Sequence, residues 1–279
     1  MNIHQVSKID LSPDVVDCIV FWSKDPEPML DKLNLLKDYM YYFQFTLNAY
    51  DNDLEANLPT LTERINTFRA LSNYLGKERV LWRYDPIIIN QKYSMDWHIE
   101  KFKSLAEQLC LSTEKVTISF FDLYAKISHN IKGKNIYEAS YKQKNLLAKH
   151  FSEIAHSHNI EISACAEDID LSSYGIAHAK CIDDKLISKL LNCSMDAEKD
   201  KNQRSECGCI SSIDLGLYNT CQNGCVYCYA NHNHTIRKQN FEAYDPFSPL
   251  LCSHITEFDK ITERKVKSQK NMQMSLFEI

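Results

Sequence analysis

Residues 79–89 read RVLWRYDPIII, an apolar stretch in which Arg83 and Asp85 are the only charged residues after the first. The part that ends at Tyr84 has the length and composition of a β-strand. Because apolar side chains fall on both of its faces, this strand suits a parallel sheet that is covered on both sides. Polar residues follow the apolar core directly, at the place where strands of such sheets lead into functional loops.

Four other segments have the same strand-like character, and amphipathic stretches with helical periodicity separate them. This alternation predicts repeated β-α units and an α/β fold. No glycine-rich phosphate loop follows the first strand, which disfavours a dinucleotide-binding sheet and favours a full or partial (β/α) barrel. The predicted strands are Val15–Trp22, Tyr41–Leu47, Arg79–Tyr84, Val116–Leu123 and Ile160–Ala166, and the predicted helices are Pro28–Lys37, Leu61–Leu75, Trp97–Leu109 and Tyr141–His158.

The composition is that of an ordinary globular protein, with 44% apolar and 25% charged residues among 279. A formal net charge of −5 gives no sign of general nucleic-acid binding. No apolar run is long enough to span a membrane, and the first residues lack the apolar core of a signal peptide. We therefore expect a cytoplasmic protein without a membrane partner.

Eleven cysteines are the unusual feature of this composition, and five of them fall between residues 207 and 228. In a reducing compartment such enrichment predicts metal or redox chemistry rather than disulfide bonds. The cysteines in apolar surroundings, which we predict to be packed in the core, are Cys18, Cys110, Cys193 and Cys252.

Cys221, Cys225 and Cys228 have the spacing C-x₃-C-x₂-C on a segment that Gly224 can turn tightly. Three thiolates at this spacing can bind three irons of a [4Fe–4S] cluster and leave the fourth iron open. The competing interpretation is zinc, although structural zinc sites usually combine paired C-x₂-C units into four ligands. The spacing favours the iron–sulfur cluster.

A second metal site is the other interpretation that the cysteines allow. Cys207 and Cys209 lie upstream of that loop and need further ligands. Cys165, at the end of a predicted strand, and Cys181 would complete a set of four for a second [4Fe–4S] cluster or for zinc. The alternative is that Cys165 and Cys181 are buried thiols that pack as small apolar side chains.

Polar residues at the ends of the predicted strands are candidates for a pocket. Lys24, Arg83 and Asp85 directly follow apolar strand cores, and we predict that they line the catalytic pocket. Thr46 and Ser119 occupy similar positions and are predicted to contact a cofactor. Helix capping and surface turns are the alternative explanation for such residues.

The cysteine spacing, with Tyr227 before the third cysteine, resembles the motif of radical S-adenosylmethionine enzymes. The resemblance implies that S-adenosylmethionine binds the open iron and that one electron cleaves it to methionine and a 5′-deoxyadenosyl radical. It also implies a flavodoxin-like or ferredoxin-like electron donor, with Tyr227 against the adenosyl group.

Longer stretches are similar to the domain-of-unknown-function 1848 (DUF1848) family, which is uncharacterised and carries a radical-SAM-like cysteine cluster near its C-terminus. The resemblance implies an iron–sulfur protein without supplying a reaction. In that family a further segment precedes the region matching Gln5–Ser12. The stretches are CGCISSIDLGLYNTCQNGCVYCYAN from residue 207, VDCIVFWSKDPEPML from residue 16, VLWRYDPIII from residue 80 and SFFDLY from residue 119.

Radical SAM barrels place the cysteine loop after their first strand, whereas here it follows residue 220. A circular permutation, with Ser212–Leu217 as the first strand of the barrel, would reconcile the two orders. The layout is also similar to the spore photoproduct lyase group, which makes a nucleic-acid lesion the favoured substrate class.

These inferences divide the chain into a barrel-like portion (1–195), a cysteine-rich segment that completes the barrel (196–259) and a basic, mobile tail (260–279). In the tail, Gln273–Phe277 resembles the pentapeptide that docks bacterial repair proteins on the DNA sliding clamp. The alternative is that Leu276 and Phe277 pack on their own domain.

Three functional hypotheses stay open from the sequence. The favoured one is a radical SAM enzyme. The others are a structural or adaptor protein that binds zinc, and an electron-transfer protein with two clusters and no catalysis.

Overall fold

The computed structural model describes residues 4–271, whose centre is a parallel β-sheet of six strands. The strands are β1 (Gln5–Ile9), β2 (Ile19–Ser23), β3 (Tyr41–Thr46), β4 (Val80–Ile87), β5 (Lys115–Phe120), β6 (Glu161–Ala164), β7 (Ala177–His178), β8 (Ser194–Met195), β9 (Lys260–Arg264) and β10 (Lys270–Asn271). The α-helices are α1 (Leu61–Leu75), α2 (Met95–Leu109), α3 (Ser128–Ile131), α4 (Tyr141–Ser157), α5 (Asp184–Leu191) and α6 (His234–Glu242), and 3₁₀ helices cover Glu27–Leu36, Lys77–Arg79, Ala125–Ile127 and Ser172–Tyr174.

The strands of the main sheet follow one another in space as they do in sequence, in the order β2-β3-β4-β5-β6-β7. All five pairings are parallel. A doubly wound sheet reverses its order at a switch point, whereas this sheet advances in one direction from edge to edge. The predicted α/β class is therefore confirmed.

One face of the sheet is covered by α1, α2 and α4, which explains the apolar periodicity of these helices. The ring of Phe102 on α2 stacks on Trp82 at 4.9 Å and on Phe151 of α4 at 4.2 Å between centroids. On α1, Phe68 packs against Phe45 with centroids 5.0 Å apart. This aromatic layer holds three helices against neighbouring strands.

The opposite face of the sheet carries buried polar side chains, among them Gln44, Arg83, Thr117 and Ser163. Successive side chains of a strand point to opposite faces, so these residues share a face because they alternate with the aromatic layer. The predicted site residues Thr46, Asp85 and Ser119 and the strand-end Cys165 occupy positions of the same alternation. The polar face is therefore where the candidate site lies.

The helix boundaries follow from capping residues in the sequence. Thr60 and Glu63 form a capping box at the start of α1, and Ser140 and Gln143 form another at the start of α4. The helix predicted at Leu61–Leu75 is confirmed at both ends. The segment predicted as the helix Pro28–Lys37 is instead a 3₁₀ helix.

The strand predicted at Ser212–Leu217 is wrong, because residues 212–217 have no regular secondary structure and do not join the main sheet. Ile213, Leu215 and Leu217 alternate as they would in a strand, but Leu215 and Leu217 are 51% and 45% exposed, so within residues 4–271 no other element covers this apolar face. The sheet begins instead at β2. The specific permutation that makes 212–217 the first strand is thereby removed.

Part of the segment predicted as a mobile tail is ordered. Strand β9 pairs in parallel with β1, where Lys8 Nζ lies 3.3 Å from the carboxylate of Glu263, and β10 pairs with β8. Opposite charges on neighbouring strands, such as those of Lys8 and Glu263, favour the pairing of β1 with β9. The clamp-like peptide at 273–277 lies outside the described residues.

None of the helices within residues 4–271 is both long enough and apolar enough to cross a membrane.

His98 on α2 is a buried histidine held between two partners. Its Nε2 lies 2.8 Å from the carbonyl of Ile88, which only accepts, so Nε2 carries the hydrogen. Its Nδ1 lies 2.8 Å from the hydroxyl of Tyr84, which donates to it. Burial lowers the pKa of His98 to about 4. The neutral imidazole is thus the form that the fold requires.

We expect this histidine to make folding sensitive to acid. The unfolded chain binds the proton near pH 6.5, so the stability is fully present above that pH and is lost as pH falls towards 4. The loss should reach about 3 kcal/mol at pH 4. Urea unfolding should show a shallower pH dependence for His98→Gln than for wild type, while exposed His129→Gln keeps the wild-type slope. Equal slopes for all three would contradict the prediction.

Candidate functional site

The segment 221–228, called the cysteine loop from here on, is docked on residues 54–57, which follow β3. The contacts combine backbone and side-chain hydrogen bonds, so the loop has a fixed place beside the carboxyl ends of the strands. They are an antiparallel bridge between Glu55 and Cys225, Val226 N to Leu54 O at 3.0 Å, Asn57 N to Asn223 O at 3.1 Å and Asn57 Nδ2 to Gln222 O at 2.7 Å.

Glu55 is the centre of this docking, with a side chain that is only 1% exposed. Its carboxylate accepts from Lys24 Nζ at 3.0 Å and from Arg64 Nη1 at 3.3 Å. It also accepts a hydrogen bond from the hydroxyl of Tyr227 in the cysteine loop. Two cations therefore surround one anion, and the group carries a net formal charge of +1.

Tyr227 is buried beside this charged group. The Nζ atom of Lys24 lies 5.3 Å from the centre of its ring, within the range of a cation–π contact. Tyr50 packs edge-on with its centroid 6.2 Å away. The ring thus connects the cysteine loop to Lys24, at the end of β2.

The three thiols of the cysteine loop differ in exposure: Cys225 is buried, Cys228 is partly buried and Cys221 is exposed. Burial raises the pKa of Cys225 to about 12, and the charge of Lys24 opposes that rise. Burial also raises the pKa of Cys228. Metal binding requires deprotonated thiols, so it would have to overcome this cost, which nearby Lys24 reduces.

Gly224 gives the cysteine loop its turn. Its φ is +69°, in the left-handed region, and a Cβ atom there would lie 3.0 Å from Nδ2 of Asn57. Glycine therefore satisfies both the backbone conformation and the close approach of the loop to residues 54–57.

Four other cysteines, which we call the tetracysteine cluster, meet on the polar side of the sheet: Cys165, Cys181, Cys207 and Cys209. The sulfur atoms of Cys165 and Cys181 are 3.4 Å apart. Cys181, Cys207 and Cys209 form one buried cluster with Cys165 packed against it, and the thiol of Cys181 lowers the pKa of Cys209. The structure thus brings together four cysteines that the sequence suggested as a set only because a metal site needs four ligands.

Arg83 and Asp85 lie between the two groups of cysteines. Arg83 Nη2 is 2.6 Å from the carboxylate of Asp85, and Arg83 Nη1 is 2.8 Å from the sulfur of Cys181. On the other side, Lys24 Nζ is 3.5 Å from the carbonyl oxygen of Asp85. The three residues that we predicted to line a pocket are therefore neighbours.

Thr46 and Ser119, which we predicted to contact a cofactor, lie on β3 and β5, the strands on either side of β4, which carries Arg83 and Asp85. Thr46 is the register partner of Arg83 on the adjacent strand. Ser119 is farther along the sheet, where its hydroxyl lies 3.3 Å from Glu167, which is also 3.0 Å from Lys144 Nζ. Both Glu167 and Lys144 line a cleft of about 380 Å³. Ser119 thus belongs to the Glu167 group rather than to the cysteine loop.

Within residues 4–271, three buried side-chain oxygens have no hydrogen-bond donor: Asp25 Oδ1, Gln44 Oε1 and Asn231 Oδ1. Asp25 follows Lys24, while the amide nitrogens of Gln44 and Asn231 donate to the carbonyls of Cys181 and Cys221 at 2.8 and 2.7 Å. Buried polar atoms normally have a partner.

Across the described part of the chain, no three His, Cys, Asp or Glu side chains are already arranged to hold a single metal ion. A [4Fe–4S] cluster makes a different demand, because each thiolate binds a different iron and the sulfurs need not converge on one point. The cysteine loop has three thiols and a nearby cation, so its residues fit three-fold ligation of a cluster.

Sequence reasoning missed Glu55, Arg64 and Gln44. Glu55 is one of three acids in residues 51–55, and nothing in their spacing distinguishes it. Arg64 reads as an ordinary charged residue of an amphipathic helix. Only the alternation along the predicted strand Tyr41–Leu47, which sets Gln44 on the face opposite Phe43 and Phe45, was a usable signal.

Fold and site together define a mixed α/β protein with a parallel sheet and two groups of cysteines at the carboxyl ends of its strands. The family model for DUF1848, a domain of unknown function, matches residues 1–230. The chain therefore belongs to the DUF1848 family, which confirms the resemblance. A search of curated proteins finds no match to this sequence.

Replacing Glu55 tests whether its carboxylate holds the site together. Glu55→Gln leaves Lys24 and Arg64 without a counter-charge, and we expect the free energy of unfolding to fall by about 3 kcal/mol. Urea unfolding measures the change. Glu100→Gln is the control, because Glu100 is 74% exposed and its ion pair with Lys101 should contribute less than about 1 kcal/mol. Equal effects of the two changes would contradict the assignment of Glu55.

Gly224→Ala should loosen the cysteine loop. Gly133→Ala is the matched control, since Gly133 also has a positive φ, +78°, but an added Cβ meets nothing within 4 Å. Both variants carry the left-handed strain of about 1 kcal/mol, and only Gly224→Ala adds a close contact with Asn57. Hydrogen exchange should therefore be faster over residues 221–228 in Gly224→Ala and unchanged there in Gly133→Ala. Unchanged exchange in both would contradict the docking described above.

Proposed function

We propose that this protein is an iron–sulfur enzyme of the radical SAM type. Cys221, Cys225 and Cys228 would bind a [4Fe–4S] cluster, whose open iron would bind S-adenosylmethionine. The observation that carries the proposal is a C-x₃-C-x₂-C loop that is fixed, through Glu55, beside the carboxyl ends of a parallel sheet. When bound, the reduced cluster would supply the electron that cleaves S-adenosylmethionine to methionine and a 5′-deoxyadenosyl radical.

The charges around the loop support this proposal. Lys24 and Arg64 outweigh Glu55 by one positive charge, in a region where little water screens it. A net positive charge favours thiolates over thiols and favours an anionic group, such as the carboxylate of S-adenosylmethionine.

We infer further that the sheet is a partial barrel of the radical SAM type. Support comes from six parallel strands in sequence order, with helices on one face and buried polar residues on the other. The cysteine loop arrives from the C-terminal part of the chain yet docks between Lys24, after β2, and residues 54–57, after β3. That order fits a circular permutation in which β2 is the edge strand beside the loop.

The substrate class that we favour is a nucleic-acid lesion. The similarity in layout to the spore photoproduct lyase group and the clamp-like sequence at 273–277 support it. Lys24, Arg83 and Asp85 are the candidates for contacts with the reacting group. The electron would come from a flavodoxin-like or ferredoxin-like donor.

Anaerobic reconstitution with iron and sulfide tests the proposal. Wild type should become brown, and with dithionite it should form 5′-deoxyadenosine from S-adenosylmethionine. Cys225→Ala and Cys228→Ala should lose that product and about four irons per chain, because each removes a ligand of the same cluster. The substrate class is tested by adding ultraviolet-irradiated or unirradiated oligonucleotides. We expect the enzyme to consume only the irradiated ones.

Cys193→Ala is the matched control, since Cys193 lies outside both groups of cysteines, and it should keep the iron and the product. A colourless protein that contains zinc and no iron would overturn the proposal and favour a structural or adaptor role. Full iron content without any 5′-deoxyadenosine would instead favour electron transfer without catalysis.

A further inference from the structure

We propose that the tetracysteine cluster is a second metal centre, separate from the cysteine loop, in which four thiolates bind zinc or a [4Fe–4S] cluster. The two metals share one chemistry, since soft thiolate ligands select both. Cys165 directly follows β6 and Cys181 lies shortly after β7, so both are at the carboxyl edge of the sheet. Cys207 and Cys209 reach them from a later segment.

The sulfur atoms are closer together than packing alone requires. At 3.4 Å, Cys165 and Cys181 are too far apart for a disulfide bond and close to the separation of about 3.8 Å between two sulfurs of a tetrahedral zinc site. Cys181, Cys207 and Cys209 form one buried cluster, and Cys165 packs against it. Within residues 4–271 no three such side chains already converge on one metal position. Zinc would therefore draw the four thiols together, whereas a cluster would require them to move apart, because each would bind a different iron.

The surroundings supply hydrogen-bond donors to sulfur, as a thiolate requires. The backbone N–H groups of Cys181 and Ile182 lie 3.2 and 3.4 Å from the sulfur of Cys209. The buried guanidinium of Arg83 donates to the sulfur of Cys181 at 2.8 Å. A charge-assisted bond of this kind is stronger when the acceptor is ionised. Four ionised thiols with a divalent metal carry a net charge of −2, and the guanidinium that contacts them, Arg83, is shared with the carboxylate of Asp85.

Two backbone features lie at the tetracysteine cluster. Gly208 separates the two cysteines of the C-G-C sequence, and a Cβ atom there would lie 3.0 Å from Lys180 Cγ and 3.2 Å from the carbonyl oxygen of Ala179. Ala166, after Cys165, has a φ of +50°, which costs energy for any residue with a Cβ. Both features lie directly beside cysteines of the tetracysteine cluster.

The main test is to measure the metal content of a variant whose substitutions lie outside the tetracysteine cluster. The triple variant Cys221→Ala/Cys225→Ala/Cys228→Ala removes the cysteine loop as a ligand and leaves the tetracysteine cluster intact. Purified anaerobically from medium supplied with iron and zinc, it should retain about one zinc, or about four irons with inorganic sulfide, per chain. A folded triple variant without stoichiometric metal would overturn the proposal.

The pair variant Cys207→Ala/Cys209→Ala completes the test. It should lose that same metal and keep the iron of the cysteine loop, while the matched pair variant Cys110→Ala/Cys193→Ala keeps both. Metal content equal to wild type in the Cys207/Cys209 variant would also overturn the proposal. If that variant does not fold, as judged by circular dichroism and gel filtration, the triple variant decides alone. A failure of the proposed function gives a different result. If the cysteine loop binds no cluster, the triple variant has the same metal content as wild type.

Discussion

The buried carboxylate of Glu55 is the interaction on which the candidate site depends. It binds Lys24 from the end of β2, Arg64 from α1 and Tyr227 from the cysteine loop, which are far apart in the sequence. A buried ion group of this kind contributes little net stability, but removing one partner leaves the others uncompensated. We infer that Glu55 acts chiefly to specify the position of the cysteine loop, because its carboxylate joins both cations to the hydroxyl of Tyr227.

One face of the sheet packs against helices, and the other face carries the candidate site. Aromatic and aliphatic side chains on one face hold α1, α2 and α4. The other face places Gln44, Arg83 and Asp85 next to the cysteines. Because parallel strands all end at one edge, side chains from distant segments meet there without any long excursion of the chain. The Arg83–Asp85 pair lies between the two groups of cysteines and contacts both the tetracysteine cluster and Lys24.

Much of the fold could be predicted because its signals are local. Apolar runs marked the five longer strands of the sheet, and caps such as Thr60 and Ser140 marked helix starts. Predictions failed where a segment needs a distant partner: residues 212–217 have no neighbour to pair with, whereas Lys260–Arg264 becomes a strand because β1 provides one. Whether such a short segment becomes a strand depends on a partner strand, which its own residues do not determine.

The sequence by itself determined the α/β class, the family and the identity of the cysteines in the loop, since periodicity and C-x₃-C-x₂-C spacing are properties of neighbouring residues. Only the tertiary structure decided that Cys165 and Cys181 meet Cys207 and Cys209, and that Glu55 rather than Asp51 or Asp53 is the buried acid. The physical reason is that these contacts form between chain segments that the sheet brings together. Burial and charge pairing at such contacts depend on packing, which no local pattern encodes.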